Sequence, residues 1–498
     1  LTFELTLDRG GVRAQSADID VAANGSHLTM LEFLPTLGYR ATYELIDPRE
    51  RQQMQLGAGT AAMHELSAID SLVSQQHREG VSPPWYTVHA VVSTSDDQWP
   101  LAPGDRVREW NDAGRRYAEY VVDRPIPPRF AVNSGRYAVV RAAHRGVAIE
   151  LWYHPSHAAN VERILAATTR TLDVMGARFH PYALRTLRLI EIPNGWPFGA
   201  FAMPGVVYLT ENRGMLTDPR TEDVDLLTRR VAHEVAHQWW GHSVDPLNVR
   251  GASTIVESLA KDAEAQVVAS LHGADAVVPM LAYDHDRYLA GRANESGGEH
   301  TLVTVRDQSH LVYGKGALAM HALRIALGDS AVDGVLRTLL SREGGPSGVA
   351  TALELRGLLR DAAGTDTDRA LVDEWFLHRV IHDLRADTAS AVADGAHGYR
   401  LHAEFRAERV VTDSVGERVS AADGERLEVA VYGAGARADT LLRRDVVPVR
   451  AGRLVYDVVV GELPGRVEID PRLLRIDRER SNNTRRVTVR REAAPVVH

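Results

Sequence analysis

The sequence predicts a multidomain α+β protein with a β-rich N-terminal domain, a mainly helical middle and a C-terminal β-sandwich. Three observations carry that reading. At 498 residues the chain exceeds the roughly 100–200 residues of one domain. Its apolar residues alternate in strand fashion up to about residue 150, take helical spacing through 222–383, and alternate again beyond Asp383. The composition, 44% hydrophobic and 25% charged, is that of a globular chain and not of a disordered or fibrous one.

The elements follow in order. Residues 2–7, 86–94 and 147–153 are β-branched and aromatic enough for strands. Between them, roughly 40–82 is polar, contains Gly57 and Gly59, and ends at Pro83-Pro84, as a long excursion with some helix would. Val161, Ile164, Leu165, Thr168, Leu172 and Met175 share one helical face. Strands follow at 186–192 and 206–210. The helical region is broken at Pro246, Gly273, Gly297-Gly298 and Gly344-Gly345-Pro346, and strand alternation returns at 426–432 and 453–460. The expected domains are 1–145, 146–383 and 384–480. Residues 481–498, with Arg485, Arg486, Arg490 and Arg491, read as a solvated or disordered tail.

Composition excludes several functions. With 57 basic against 66 acidic residues the formal charge is −9, so no global field draws the chain to nucleic acid. No run of 18 apolar residues is present to cross a bilayer as a helix. The absence of cysteine removes disulfides, thiolate metal sites and cysteine nucleophiles. Only two basic residues are lysine, Lys261 and Lys315. The chain opens at Leu1 directly in a strand-like run without a leader, as a fragment of a longer protein would.

The strongest chemical signal is His233-Glu234-Val235-Ala236-His237, inside a helical pattern preceded by Glu222, Asp223 and Asp225 at its positive end. Histidines at i and i+4 leave one face of a helix together and can occupy two corners of a zinc tetrahedron; Glu234, one position on, can reach a water there without ligating. A catalytic zinc needs a third protein ligand. Ser243 and Trp240 stand where a third-histidine variant needs histidine and glycine. A carboxylate returning on the next helix serves instead. Pro246 would end the first helix and Gly251-Ala252-Ser253 start the second, with Glu257 early in it and Glu264 as the rival ligand.

This segment, through Gln238-Trp239-Trp240-Gly241-His242 and Val256-Glu257-Ser258-Leu259-Ala260, resembles the M1 family of zinc metallopeptidases. The family places eighteen residues between the second histidine and the glutamate; this chain has nineteen, residues 238–256. Segments 34–39, 45–51, 146–155 and 467–471 are similar to the M1-like extracytoplasmic domain fused to bacterial ABC-2-type transporter permeases. The resemblance implies a thermolysin-like, mainly helical catalytic domain and an extracytoplasmic, membrane-associated setting with a fused or associated permease. It also implies one catalytic Zn2+ on His233, His237 and Glu257. Tyr313-Gly314-Lys315-Gly316 matches the family's Tyr-x-Lys-Gly, whose tyrosine hydroxyl donates to the oxyanion, so Tyr313 joins Glu234 as a catalytic residue.

The expected reaction is peptide hydrolysis by zinc-activated water, with Glu234 moving the proton to the leaving amine and peptide as the substrate partner. One family feature is missing. Where M1 aminopeptidases carry the glutamate of Gly-x-Met-Glu-Asn, which binds the free α-amine, this chain has Pro204 in the stretch 199–211, and Glu211 is the first substitute to consider. The alternative is a non-catalytic, zinc-containing binding or regulatory domain of an ABC-2-type transporter. Other patterns are discounted: His378/His382 as a surface pair, Asp284-His285-Asp286 as a solvated helix face, and Gly433-Ala434-Gly435 for want of a following helix. Trp239 and Trp240 are expected to pack beneath the site.

Overall fold

A computed structural model describes residues 19–22, 25–30, 48–57, 85–194, 198–218, 225–295, 299–306, 308–348, 350–395, 398–413 and 416–490. The strand expected at 2–7, the segments 34–39 and 45–47, Glu222, Asp223 and the last residues of the tail lie outside them. The chain divides into two compact units. One comprises Leu1–Pro279, Val303–Asp307 and Asp329–Ala362; the other comprises Met280–Leu302, Gln308–Gly328 and Ala363–His498. The architecture is β-rich at the N-terminus, helical in the centre and β again at the C-terminus, as the alternation of periods predicts. Among the described residues no helix is long and apolar enough to cross a membrane.

In the first unit, the N-terminal region holds a four-stranded sheet (Ile19–Ala22, Gly25–Thr29, Ala131–Gly135, Trp99–Leu101) and a three-stranded one (Tyr86–Ser95, Arg115–Ile126, Asp105–Asp112). Val88, Val122 and Ile126 pack with Met30 and Phe130 between them. A five-stranded sheet follows: β1 (Ala138–His144), β2 (Val147–Tyr153), β3 (Thr186–Ile192), β4 (Ala200–Met203) and β5 (Val206–Thr210), in the order β4-β5-β3-β2-β1. β2, β3 and β5 run parallel, so their carboxyl ends lie side by side. Both edges are antiparallel. Strands buried on both faces read as continuous apolar runs, which is why Leu187, Leu189, Ile190 and Ile192 of β3 are all inaccessible.

Helix α1 (Val161–Arg178) joins β2 to β3 and buries Val161, Ile164, Thr168, Leu172 and Met175, five of the six positions on its expected stripe. The stretch 199–211 contains a hairpin, in which a further strand precedes the expected one at 206–210. Pro204-Gly205 forms a two-residue turn between β4 and β5, with Gly205 at φ +78°, where only glycine is unstrained. Helix α2 (Leu226–Ala236) starts at Asp225, whose carboxylate accepts from the Thr228 amide at 3.0 Å. It ends at His237, well before Pro246: the chain turns at Trp239–Val244, with Gly241 at φ +108°. A π-helical turn, Thr254–Ser258, then leads into α3 (Leu259–His272).

In the second unit, two sheets enclose a shared core that includes Leu401, Phe405, Leu427, Val429, Val431, Leu454, Val467 and Ile469. Residues 484–490, expected in a tail, pair with them: Thr484–Arg486 adds to Pro464–Ile469, and Thr488–Arg490 adds to Val380–Ala393. Apart from Val487, which packs against the core, their side chains are exposed, which is what made them read as a tail. Two discounted patterns also differ from expectation. Asp284 and His285 are fully buried, and His285 Nε2 accepts from the Asp477 amide at 3.0 Å; only Asp286 is solvated. His382 is buried on a strand with its imidazole on Glu425, 3.1 Å away, while His378 is exposed, so the two form no surface pair.

Candidate metal centre and active site

Helix α2 and the π-helical turn before α3 bring together His233, His237 and Glu257. The one-turn offset in α2 sets the two imidazoles 4.7 Å apart, nearly perpendicular at 86°. Glu257 Oε2 lies 3.1 Å from His233 Nε2 and 3.6 Å from His237 Nε2. An ion bound tetrahedrally at about 2.0–2.2 Å separates its ligand atoms by roughly 3.3–3.6 Å; the 3.6 Å spacing falls in that range and the 3.1 Å spacing, a hydrogen-bond distance, falls just short of it. The residue additional to the usual spacing has not carried Glu257 out of reach. A π turn takes one more residue than an α turn, and Glu257 sits in one.

Partners behind the imidazoles fix their orientation. His237 Nδ1–H donates to the Trp240 carbonyl at 3.0 Å, which leaves Nε2 as its inward atom. His233 Nδ1 faces Glu264 Oε2 at 3.5 Å. Glu264, the rival ligand of the sequence, thus stands behind His233. It accepts from Lys261 Nζ at 2.8 Å on both oxygens and from Arg229 Nε. Burial alone would raise its carboxyl; Arg229 and Lys261 hold it well below the usual carboxylate range. Sequence reasoning missed this role for Arg229 and Lys261. The signal available was a retained lysine three residues from Glu264 on one helix face.

Glu234 is buried beside the triad, its Oε2 4.0 Å from His237 Nε2. Burial pushes its carboxyl up to about 7, within the range where a carboxylate takes and returns protons near neutrality. Burial pushes His237 down to about 4; burial would lower His233 as well, but its partners Glu257 and Glu264 hold it up at about 9. Trp239 and Trp240 are buried as expected; the Trp239 indole donates to the His180 carbonyl at 3.0 Å. Gln238 ties the Pro204-Gly205 turn to the end of α2, accepting from the Gly205 amide at 2.8 Å and donating to the Met203 carbonyl at 3.1 Å. A cavity of about 340 Å³ opens there, lined by His180, Tyr182, Pro204, Gln238 and His242 among others.

Residues 164–375 match the model of the peptidase family M1 domain. The chain carries an M1 peptidase domain. Among curated proteins it is similar to endoplasmic reticulum aminopeptidase 2 of Homo sapiens, 34% identical over 103 residues, which cover 20% of this chain and 10% of that protein. The Bos taurus protein of the same name is 31% identical over 111 residues, covering 22% and 11%. The chain therefore spans about a tenth of the length of these relatives. Among solved structures it is similar to the M1 zinc metallopeptidase of Deinococcus radiodurans, at 22% identity and TM-score 0.47, covering 60% of this chain and 65% of that one. A variant of the same protein bound to a Tyr-Ser-Ala substrate matches at 21% identity, with the same coverage and TM-score.

Within the M1 domain the matched segment contains the whole His-His-Glu constellation, Glu234 and Tyr313. Tyr313 belongs to the second unit. It lies half-buried in a π-helical turn, His310–Lys315, with the Arg287 guanidinium 4.4 Å from its ring centroid. Gly314 is required there, since a Cβ would come within 2.8 Å of the Tyr288 side chain. Lys315 is buried, donating to the His378 carbonyl at 2.8 Å with Glu299 Oε1 at 3.5 Å.

Proposed function

We propose that the chain is a zinc-dependent peptidase that hydrolyses peptide bonds without requiring a free α-amine. The observation that carries this reading is the convergence of His233, His237 and Glu257 with the buried carboxylate of Glu234 at their side. When bound, zinc supplies Lewis acidity: it polarises the scissile carbonyl and makes water nucleophilic near neutral pH. Glu234 accepts the proton of the attacking water on its carboxylate and returns it to the leaving nitrogen. Tyr313, by the family resemblance, donates its hydroxyl to the developing oxyanion. Pro204 offers no carboxylate for a substrate ammonium, and the cavity beside it is large enough for one amino-acid side chain. An extracytoplasmic setting beside an ABC-2-type permease rests on the resemblance of segments such as 146–155 and 467–471, and belongs to the same proposal.

The test is a mass-spectrometric digest of matched free and N-acetylated peptides, with added zinc, with chelator, and with Glu234→Ala. Chelator-sensitive cleavage of both peptide forms is expected. Cleavage of free N-termini alone would return the chain to strict aminopeptidases. No cleavage by a protein shown to hold one zinc would favour the binding-domain reading.

A further inference from the structure

The parallel strands β2, β3 and β5 deliver a second constellation of metal-binding side chains at their carboxyl ends, where ligands of α/β sheets commonly bind. His154 and His157 follow β2, Glu191 is the penultimate residue of β3, and Glu211 follows β5 in a π-helical turn. His157, Glu191 and Glu211 each present a ligand atom within 4.8 Å of the others. The three residues are separated by 34 and 20 positions in sequence, and only the parallel register brings them together.

The contacts within the group are directional. Glu191 is buried, with both oxygens engaged: Oε2 accepts from the His154 amide at 2.7 Å, and Oε1 meets His157 Nδ1 at 2.5 Å. That carboxylate fixes the proton on Nδ1 and turns Nε2 the other way, the arrangement found behind metal-ligating histidines. Nε2 then faces Glu211 Oε1 across 3.8 Å, too far for a hydrogen bond. Two ligands bound at about 2.1 Å to one ion stand roughly 3.4–3.8 Å apart for angles between tetrahedral and somewhat wider. A narrow cleft of about 10 Å³ runs along the two carboxylates, lined by His154, Glu191 and Glu211 but not by His157, with room for about one water-sized particle. Arg136 also lines it but is paired with Asp97 at 2.6 Å. Burial pushes the Glu191 carboxyl up and the Glu211 charge adds to this, while the His154 amide and the His157 imidazole pull it the other way.

We propose that His157 and Glu211, with Glu191 orienting the imidazole, form a second divalent-cation site distinct from the His233/His237/Glu257 centre. One imidazole, one carboxylate and water suit Zn2+ or Mn2+ rather than Ca2+ or Mg2+, which prefer oxygen throughout. With two protein ligands and open positions, it binds more weakly than the first centre and exchanges with solvent.

Native mass spectrometry of the full chain, titrated separately with Zn2+ and Mn2+, counts the ions. Wild type is expected to bind two Zn2+. Glu211→Gln, a substitution at a partly exposed side chain, is expected to weaken the second ion by at least about tenfold while circular dichroism is unchanged. His157→Gln is expected to do the same, whereas His237→Ala keeps the ion at His157. If Glu211→Gln and His157→Gln bind as many ions as wild type with equal affinity, the proposal is overturned. A single ion that survives His237→Ala but not Glu211→Gln supports this site and counts against the catalytic centre instead, so the two readings fail separately.

Discussion

Glu264 supplies the sharpest test of the candidate metal centre, because it touches His233 from outside the His233/His237/Glu257 group. Its carboxylate is buried between three groups: His233 Nδ1 at 3.5 Å, Lys261 Nζ at 2.8 Å, and Arg229 Nε. Glu264→Gln keeps the shape and one acceptor but removes the charge that compensates two buried cations. Breaking a buried pair by removing one partner costs about 3–5 kcal/mol, so urea denaturation of the metal-free variant should show a loss of that order. Loss of the group that orients a ligating histidine costs about 10–100-fold in metal affinity, or about 1.4–2.7 kcal/mol. Chelator competition measures this second effect on protein that is still folded. Pairing the change with Lys261→Met removes one excess cation and should restore part of the stability without restoring metal affinity. Zinc affinity equal to wild type in Glu264→Gln would refute the argument that this carboxylate holds His233 in place.

Three further outcomes are expected. Glu234→Gln should lower peptidase turnover by about 10²–10⁴-fold while zinc binding, measured by chelator competition, is retained. Tyr313→Phe should lower kcat by about 10²–10³-fold with KM little changed, as loss of one oxyanion donor does, and equal losses in KM would point to substrate binding instead. The third concerns Glu425 in the second unit, where burial alone would raise the carboxyl but His382 and Arg475 hold it down at about 2. Its folded value lies below the ordinary 4.5, so its contribution is complete above that pH and is lost as pH falls from about 4.5 through 2. The amount is about 3 kcal/mol, and urea midpoints between pH 5 and 2 should fall more steeply in wild type than in Glu425→Gln.

What the sequence made legible was local. The 3.6-residue period places His233 and His237 on one face whatever the rest of the chain does, and a single helix return suffices for Glu257. Strands Val147–Tyr153, Thr186–Ile192 and Val206–Thr210 were readable for the same reason, since each carries its own run of apolar residues. Non-local arrangement was not. His157, Glu191 and Glu211 lie on separate segments, and no periodicity links them; their meeting follows from the parallel pairing of β2, β3 and β5. The same limit explains Asp284-His285. Polar residues on a helix read as a wet face, but His285 is instead an acceptor for the Asp477 backbone, nearly two hundred residues away.

The two lysines show where composition carries structural information. Arginine serves nearly every basic position, yet Lys261 and Lys315 remain, and both are buried against a glutamate. A guanidinium presents five donors in a rigid plane and needs room to satisfy them, whereas an ammonium is a compact point charge with three donors. Lys261 places that charge on both oxygens of Glu264, within the group that backs His233. Lys315 divides its charge between Glu299 and the His378 carbonyl, next to Gly314, where even a Cβ would collide with Tyr288. A planar five-donor group at either place would leave buried donors without partners, at about 1–3 kcal/mol each. Packing around the two candidate functional segments explains why these two lysines remain.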